Sequence, residues 1–308
     1  MTMPSAMRYQ AKPLNVWLCT KRMSHFTTTK AASVILPGVG RAYARGDDVG
    51  YYAASIHTNA ISVNDAGHDD LMRDIAANRA FARGGVYMGC AGFLNLSYIC
   101  VMRPAAAVLF DINPLQTMFW RHVVKGLASS PTFRSFVHFM QHSGATLDQQ
   151  VLKACGPVEL NDAGITPVNT TPRSIRGLFR EVHVTDSYPW WSDTVEWNWR
   201  GQDYPYLHMM AKNGAIGALT LDLTDAQAWD DLSNYMKTAG REVCAIYVSN
   251  ALTFLERGLC WSQGEYNPHA AQSAHENFNR LARGASPFII DDQGSVPLKN
   301  ALRLSGPV

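Results

Sequence analysis

Charge of either sign is scarce in this chain. Asp, Glu, Lys and Arg make up 17% of its 308 residues, and the formal net charge is +2. With no Lys/Arg run and so small a balance, the sequence offers no electrostatic basis for nucleic acid or an anionic membrane as a partner. Paired cysteines are missing too. The six cysteines, Cys19, Cys90, Cys100, Cys155, Cys244 and Cys260, are scattered without CxxC spacing, which reads as a reduced, cytoplasmic protein. The N-terminus lacks the apolar core and cleavage pattern of a signal peptide. Uninterrupted apolar runs are short: Asn95, Arg103 and Pro104 break the most apolar span, Ala91–Phe110, so no membrane span is expected. A P-loop and a catalytic triad are also lacking. What remains is a globular composition, 47% hydrophobic, long enough for one enlarged domain or one domain plus a cap.

The most informative stretch is Gly84–Phe119. Val86–Met88 reads as a strand and Gly89-Cys90-Ala91-Gly92 as a glycine turn. Phe93–Met102 has helical spacing and stops before Pro104, and Ala105–Phe110 is a second apolar run with Asp111 at its end. This predicts one right-handed βαβ unit, with ligands beyond the carboxyl ends of the strands. Gly89 and Gly92 permit close backbone approach, and Asp111 suits the two hydroxyls of a ribose. The separation of about 20 residues between turn and acid fits nucleoside recognition. The same residues also suit plain turn glycines and an Asp111 that caps the helix starting near Pro114. Gly-x-x-Gly falls short of the full dinucleotide fingerprint. A short glycine loop with a carboxylate after the second strand favours S-adenosylmethionine (SAM) over NAD, because SAM has no pyrophosphate to cradle.

The stretch resembles the class I SAM-dependent transferase fold. It is similar to a bacterial branch of that class through Gly89–Gly92, Asn95-Leu96-Ser97-Tyr98-Ile99 and Asp111-Ile112. Asp111-Ile112-Asn113-Pro114-Leu115-Gln116 also resembles the Asp-Leu-Asn-Pro-x-Gln of betaine-lipid synthases, which transfer the aminocarboxypropyl arm of SAM. A further likeness is to enzymes that cyclise SAM to azetidine-2-carboxylate. The likeness covers roughly residues 70–130 and 205–285. It implies a Rossmann-like α/β fold, a mostly parallel sheet flanked by helices with helical N-terminal and mid-chain additions. It also implies SAM contacts from Gly89, Cys90, Gly92, Asp111 and Ile112. Asp222, after the third strand, takes the place that faces the adenine amino group, with Asp225 as competitor or helix cap. Ser249-Asn250, after the fourth strand, takes the place that faces the sulfonium. It departs from the Asn/Asp-Pro-Pro-Tyr motif of amino methyltransferases. Asn95, Ser249 and Asn250 are the candidate catalytic groups.

Residues 1–83 read as an N-terminal extension with covering helices near Tyr52–Asn59 and Asp69–Arg83. Tyr51 and Tyr52 suit stacking on the adenine or the sulfonium, and equally suit packing. Leu36–Arg41 has two glycines without a strand–helix setting and reads as a loop. Residues 84–292 form the Rossmann-like domain, with an aromatic-rich insertion at about 143–204 and a tail at 293–308. The insertion holds Trp190, Trp191, Trp197 and Trp199, half of the chain's eight tryptophans. It reads as a lid over the ligand or as a satellite core. Arg173, Arg176 and Arg180 share one helical face there, fit for a carboxylate or simply solvated. His138 and His142 stand at zinc-binding i, i+4 spacing, but no third ligand is evident, so no metal is expected. Alternating strands and helices resume at Tyr206 and end in an edge strand at Pro287–Asp291.

The expected function is a SAM-dependent enzyme acting at the sulfonium, directed towards the aminocarboxypropyl arm, with methylthioadenosine released. Methyl transfer to a small molecule is the first alternative. An NAD-dependent oxidoreductase and a non-catalytic interaction protein are the others. Small-molecule substrates are the expected partners, and the sequence does not fix an oligomeric state.

Overall fold

The computed structural model describes residues 68–78, 82, 84–90, 92–111, 114–143, 199–249, 251–256, 269–282 and 287–291. The chain order is α1 (His68–Ala77), β1 (Val86–Cys90), α2 (Leu94–Met102), β2 (Ala106–Asp111), α3 (Pro114–Ser129), α4 (133–143), α5 (Tyr204–Lys212), β3 (Ile216–Thr220), α6 (Ala226–Thr238), β4 (Val243–Ser249), α7 (Ala251–Glu256), α8 (Ala270–Arg280) and β5 (Phe288–Asp291). The five strands form one sheet in the order β3-β2-β1-β4-β5. Every pairing is parallel. Among the described residues the protein is therefore a Rossmann-like α/β sheet flanked by helices.

A parallel sheet covered on both faces needs strands that are apolar throughout, and β1, with all five residues buried, meets that need. Alternate side chains enter two cores. Tyr87, Ala107, Leu109, Ala218, Ala245 and Tyr247 face α1, α2, α3, α4 and α5. Val86, Met88, Val108, Phe110, Leu219, Ile246 and Val248 face α6 and α8. The β1–β2 and β2–β3 connections thus lie on one face, and the β3–β4 and β4–β5 connections on the other. This arrangement brings the carboxyl ends of β1 and β4 side by side.

The element boundaries expected from sequence hold to within a few residues, with two informative differences. The strand continues through Gly89 and Cys90, so both belong to β1 rather than to the turn. The helix expected at Asp69–Arg83 ends at Ala77, where the Asn78 side-chain amide donates to the Asp74 carbonyl at 2.8 Å. All nine residues of α2 are buried, because α1 packs on the side facing away from the sheet. That explains why Ala91–Phe110 is so apolar without crossing a membrane. Among the described residues no helix is long and apolar enough to do so.

Trp199 does not stand apart from this core. It stacks on Phe93 at 5.5 Å between ring centroids and meets Phe133 and Phe136 edge-on. The end of the aromatic-rich stretch therefore packs into the main core, and the other three tryptophans of that stretch lie outside the described residues.

At the α3–α4 contact, a Cβ on Gly126 would stand 2.7 Å from Phe139 Cδ1 and 3.0 Å from Phe136 Cε2. Alanine is about 1 kcal/mol better than glycine inside a helix, but overpacking costs roughly 1–3 kcal/mol. Phe136 is fully buried and Phe139 half-buried, and both belong to the main core packing. Gly126→Ala should therefore lower the thermal midpoint. An unchanged or raised midpoint would show that the two rings give way.

Candidate functional site at the carboxyl ends of the strands

The turn after β1 is built around one buried amide. Asn95, in the first turn of α2, is fully buried. Its Nδ2 donates to the Cys90 carbonyl at 2.7 Å and to the Gly92 carbonyl at 2.8 Å. Its Oδ1 accepts from the Tyr87 hydroxyl at 2.8 Å. Only one amide orientation works, since the flipped form would set an oxygen against two carbonyl oxygens. Burial, reinforced by Tyr98 alongside, raises the Tyr87 phenol well above its ordinary range, so the hydroxyl stays a donor. The Asn95 side chain is thus committed to the turn, and its place is that of a positioning residue rather than the catalytic one expected from sequence.

Gly89 is explained by the same amide. A Cβ there would lie 1.7 Å from Asn95 Oδ1 and 2.8 Å from the Tyr87 oxygen. On the side where a Cβ would stand, the space beside Gly89 is filled from within the protein. Gly92 lies beyond the strand end, at the bend where Asn95 grips the backbone. Cys90 closes β1 and is buried.

Beneath the turn lies a cluster of rings. Tyr98 stacks on Tyr87 at 6.2 Å and tilts against Tyr247 of β4 at 5.4 Å. Its hydroxyl is hydrogen-bonded to Nδ1 of His68, whose ring meets Tyr98 and Tyr247 edge-on. The first residue of α1 is thus tied to α2, which follows the turn, and to β4 beside it.

On the other side, Asp111 ends β2, half-buried and in register with Thr220 at the end of β3. The Asp111 carbonyl accepts from the Leu221 amide at 2.9 Å. Thr220 is hydrogen-bonded at 3.0 Å to Thr117 in α3, both hydroxyls being buried. Asp222 follows β3, and its Oδ1 accepts from both the amide and the hydroxyl of Thr224 at 2.8 Å. Asp225 is the cap of α6, accepting from the Gln227 and Ala228 amides. Ser249 ends β4 with φ +50°, left-handed and uncommon for a residue with a side chain. The β4–β5 register shifts between Tyr247 and Ser249, which sets Ser249 opposite Asp291. Strained residues of this kind concentrate at functional sites.

Glycine turn, Asp111, Asp222 and Ser249 therefore stand at one edge of one sheet. Tyr51, Tyr52, Ile112 and Asn250 lie outside the described residues, as do the Leu36–Arg41 loop and Arg173, Arg176 and Arg180. Tyr87 and Thr117 were not marked out by the sequence. A tyrosine in a short apolar strand gives the one usable signal, since its buried hydroxyl requires a partner. Two thiols are poor nucleophiles: burial pushes Cys244 up to about 12 and raises Cys100 well above its ordinary range. His138 and His142 stack with ring centroids 3.9 Å apart, and His142 Nδ1 donates to the His138 carbonyl. Among the described residues no three His, Cys, Asp or Glu side chains gather to hold a metal ion.

Residues 61–258, more than half of the 308, match a family profile described as a domain of unknown function, DUF7790. The chain belongs to that family. None of the curated proteins matches it.

Gly89→Ala sets a methyl group against a buried, hydrogen-bonded amide. Overpacking alone costs about 1–3 kcal/mol, and displaced Asn95 bonds add about 1 kcal/mol each. Denaturant unfolding should show a loss of about 3 kcal/mol or more. A loss under about 1 kcal/mol would mean that Asn95 moves aside freely.

Proposed function

We propose that this protein binds SAM at the carboxyl ends of β1, β2 and β4 and acts at its sulfonium, with the chemistry directed at the aminocarboxypropyl arm. The observation that carries this reading is Asp111. Its half-buried carboxylate ends β2, beside the strand whose glycine turn opens the crevice. A carboxylate there accepts hydrogen bonds from both ribose hydroxyls, and the class I transferase resemblance puts SAM's ribose at this position. Asp222 and the backbone around Gly92 border the same edge, and Ser249 stands at the end of β4.

SAM supplies an electrophile that needs no activation, because its sulfonium already carries the leaving group. The protein's part is to fold the arm, orient the attacking atom and exclude water. For SAM's own amine to attack the γ-carbon, its ammonium first gives up a proton to solvent; the neutral nitrogen then forms the C–N bond as the C–S bond breaks. The electron pair of that bond returns to sulfur as methylthioadenosine, and azetidine-2-carboxylate, its ring nitrogen protonated, is the second product. An external nucleophile at the same carbon gives aminocarboxypropyl transfer instead.

Incubating the purified protein with SAM alone and analysing the small molecules by mass spectrometry tests the reading. Methylthioadenosine together with azetidine-2-carboxylate is the expected result. SAM that binds and survives would point to a missing acceptor, for the arm or for the methyl group. SAM that does not bind would overturn the reading, and NAD titration would then be the next measurement. Asp111→Ala should weaken SAM binding about 100-fold, because each hydrogen bond to a charged group contributes about 1.5–3 kcal/mol. The far-ultraviolet circular dichroism should not change. Undiminished affinity in that variant would place the ligand elsewhere.

A further inference from the structure

We infer that Tyr87, Gly89 and Asn95 act as one positioning unit, a lock that sets the conformation of the turn after β1 and through it the affinity for the ligand. Three independent observations converge on it. The Asn95 amide reaches both turn carbonyls, of Cys90 and of Gly92, from inside the core. Its remaining oxygen is held by the Tyr87 hydroxyl, which leaves the amide one orientation. The backbone of β1 lies so close to that amide that only glycine fits at position 89.

The consequence is directional. Two carbonyls that would otherwise face the crevice are drawn down towards the core, which changes what the edge of the sheet offers an incoming molecule. A ligand carrying a carboxylate or another acceptor then meets a turn whose own carbonyl oxygens have been turned away. The Tyr87 hydroxyl does not touch the crevice. It acts at one remove, through Asn95, and its ring is held by Tyr98 and, through Tyr98, by Tyr247 and His68. The affinity part of this inference rests on the SAM reading, whereas the conformational part does not.

Tyr87→Phe is the informative variant, because it keeps the stacked ring and removes only the hydroxyl. Asn95→Ala removes the whole lock. Val123→Ala, at a buried position of α3 outside the Tyr87–Asn95 hydrogen bonds, serves as a comparison for lost packing. Amide hydrogen exchange of the peptide spanning 89–96 and SAM affinity by calorimetry are measured on all four proteins. Tyr87→Phe should speed exchange in that peptide and weaken SAM binding, each by about three- to tenfold, the range expected for one hydrogen bond. Asn95→Ala should do more of both, and Val123→Ala should lower the melting temperature while doing neither.

Exchange at 89–96 that matches the wild type in Tyr87→Phe and Asn95→Ala would overturn the lock. Faster exchange with unchanged SAM affinity would overturn its role in binding. If the wild type itself fails to bind SAM while exchange rises in both variants, the lock stands and the proposed ligand falls.

Discussion

A primary amide inside an apolar core is tolerated only when its hydrogen-bonding groups find partners, since each one left bare costs roughly 1–3 kcal/mol. Asn95 meets that condition with three neighbours, all drawn from the preceding eight residues. Much follows from it. Position 89 must be glycine, position 87 must offer a hydroxyl, and the chain between β1 and α2 must bend so that two carbonyls reach the amide. The identity of the residues and the shape of the turn are one solution to one constraint. The aromatic rings around Tyr98 then keep the donor in place from below.

The other end of α2 is held in a comparable way, from far along the chain. Arg103 ends the helix in the left-handed conformation, with φ +53°. Its guanidinium pairs with the buried Asp203 and lies 4.2 Å from the centre of the Tyr206 ring. The Tyr206 hydroxyl closes the clasp by donating to the Pro104 carbonyl at 2.9 Å. A helix with every residue buried has no solvated face to fix its rotation. Here polar contacts at its two ends do so, and apolar packing fills the length between them. The clasp sits at the amino end of the sheet, so it anchors α5 without intruding on the edge where Asp111 and Ser249 stand.

The fold was legible because its signals are local. Apolar runs bounded by Gly and Pro marked the strands, and alternation with helical spacing implied parallel pairing, as observed. The acids at strand ends were legible too, and Asp225 was already a possible cap. What the sequence did not disclose was the use made of each polar group. Gly89 reads as a turn glycine until a side chain eight positions away from Tyr87 is seen to occupy its space. Arg103 lies about 100 residues before Asp203 and Tyr206, with the aromatic-rich segment between, and no periodicity reveals such a clasp. Trp199 reads in sequence as part of a lid or of a satellite core because it clusters with other tryptophans, yet its ring is held by Phe93, Phe133 and Phe136.

The polar residues at the carboxyl edge fall into two groups. Asn95, Asp225 and one oxygen of Asp222 are committed to holding turns and a helix end. Asp111 and Ser249 end the strands on either side of β1, the first half-buried and the second in the left-handed backbone region. Strain at β4 has a visible origin in the shifted register with β5, so the position of Ser249 is imposed by the sheet rather than by its own preference. The strand ends here carry carboxylates: Asp111, Asp222 and Asp291 stand at or just past the ends of β2, β3 and β5. What the sheet presents at this edge is therefore a turn whose carbonyls are held by Asn95, beside strand ends that carry acids.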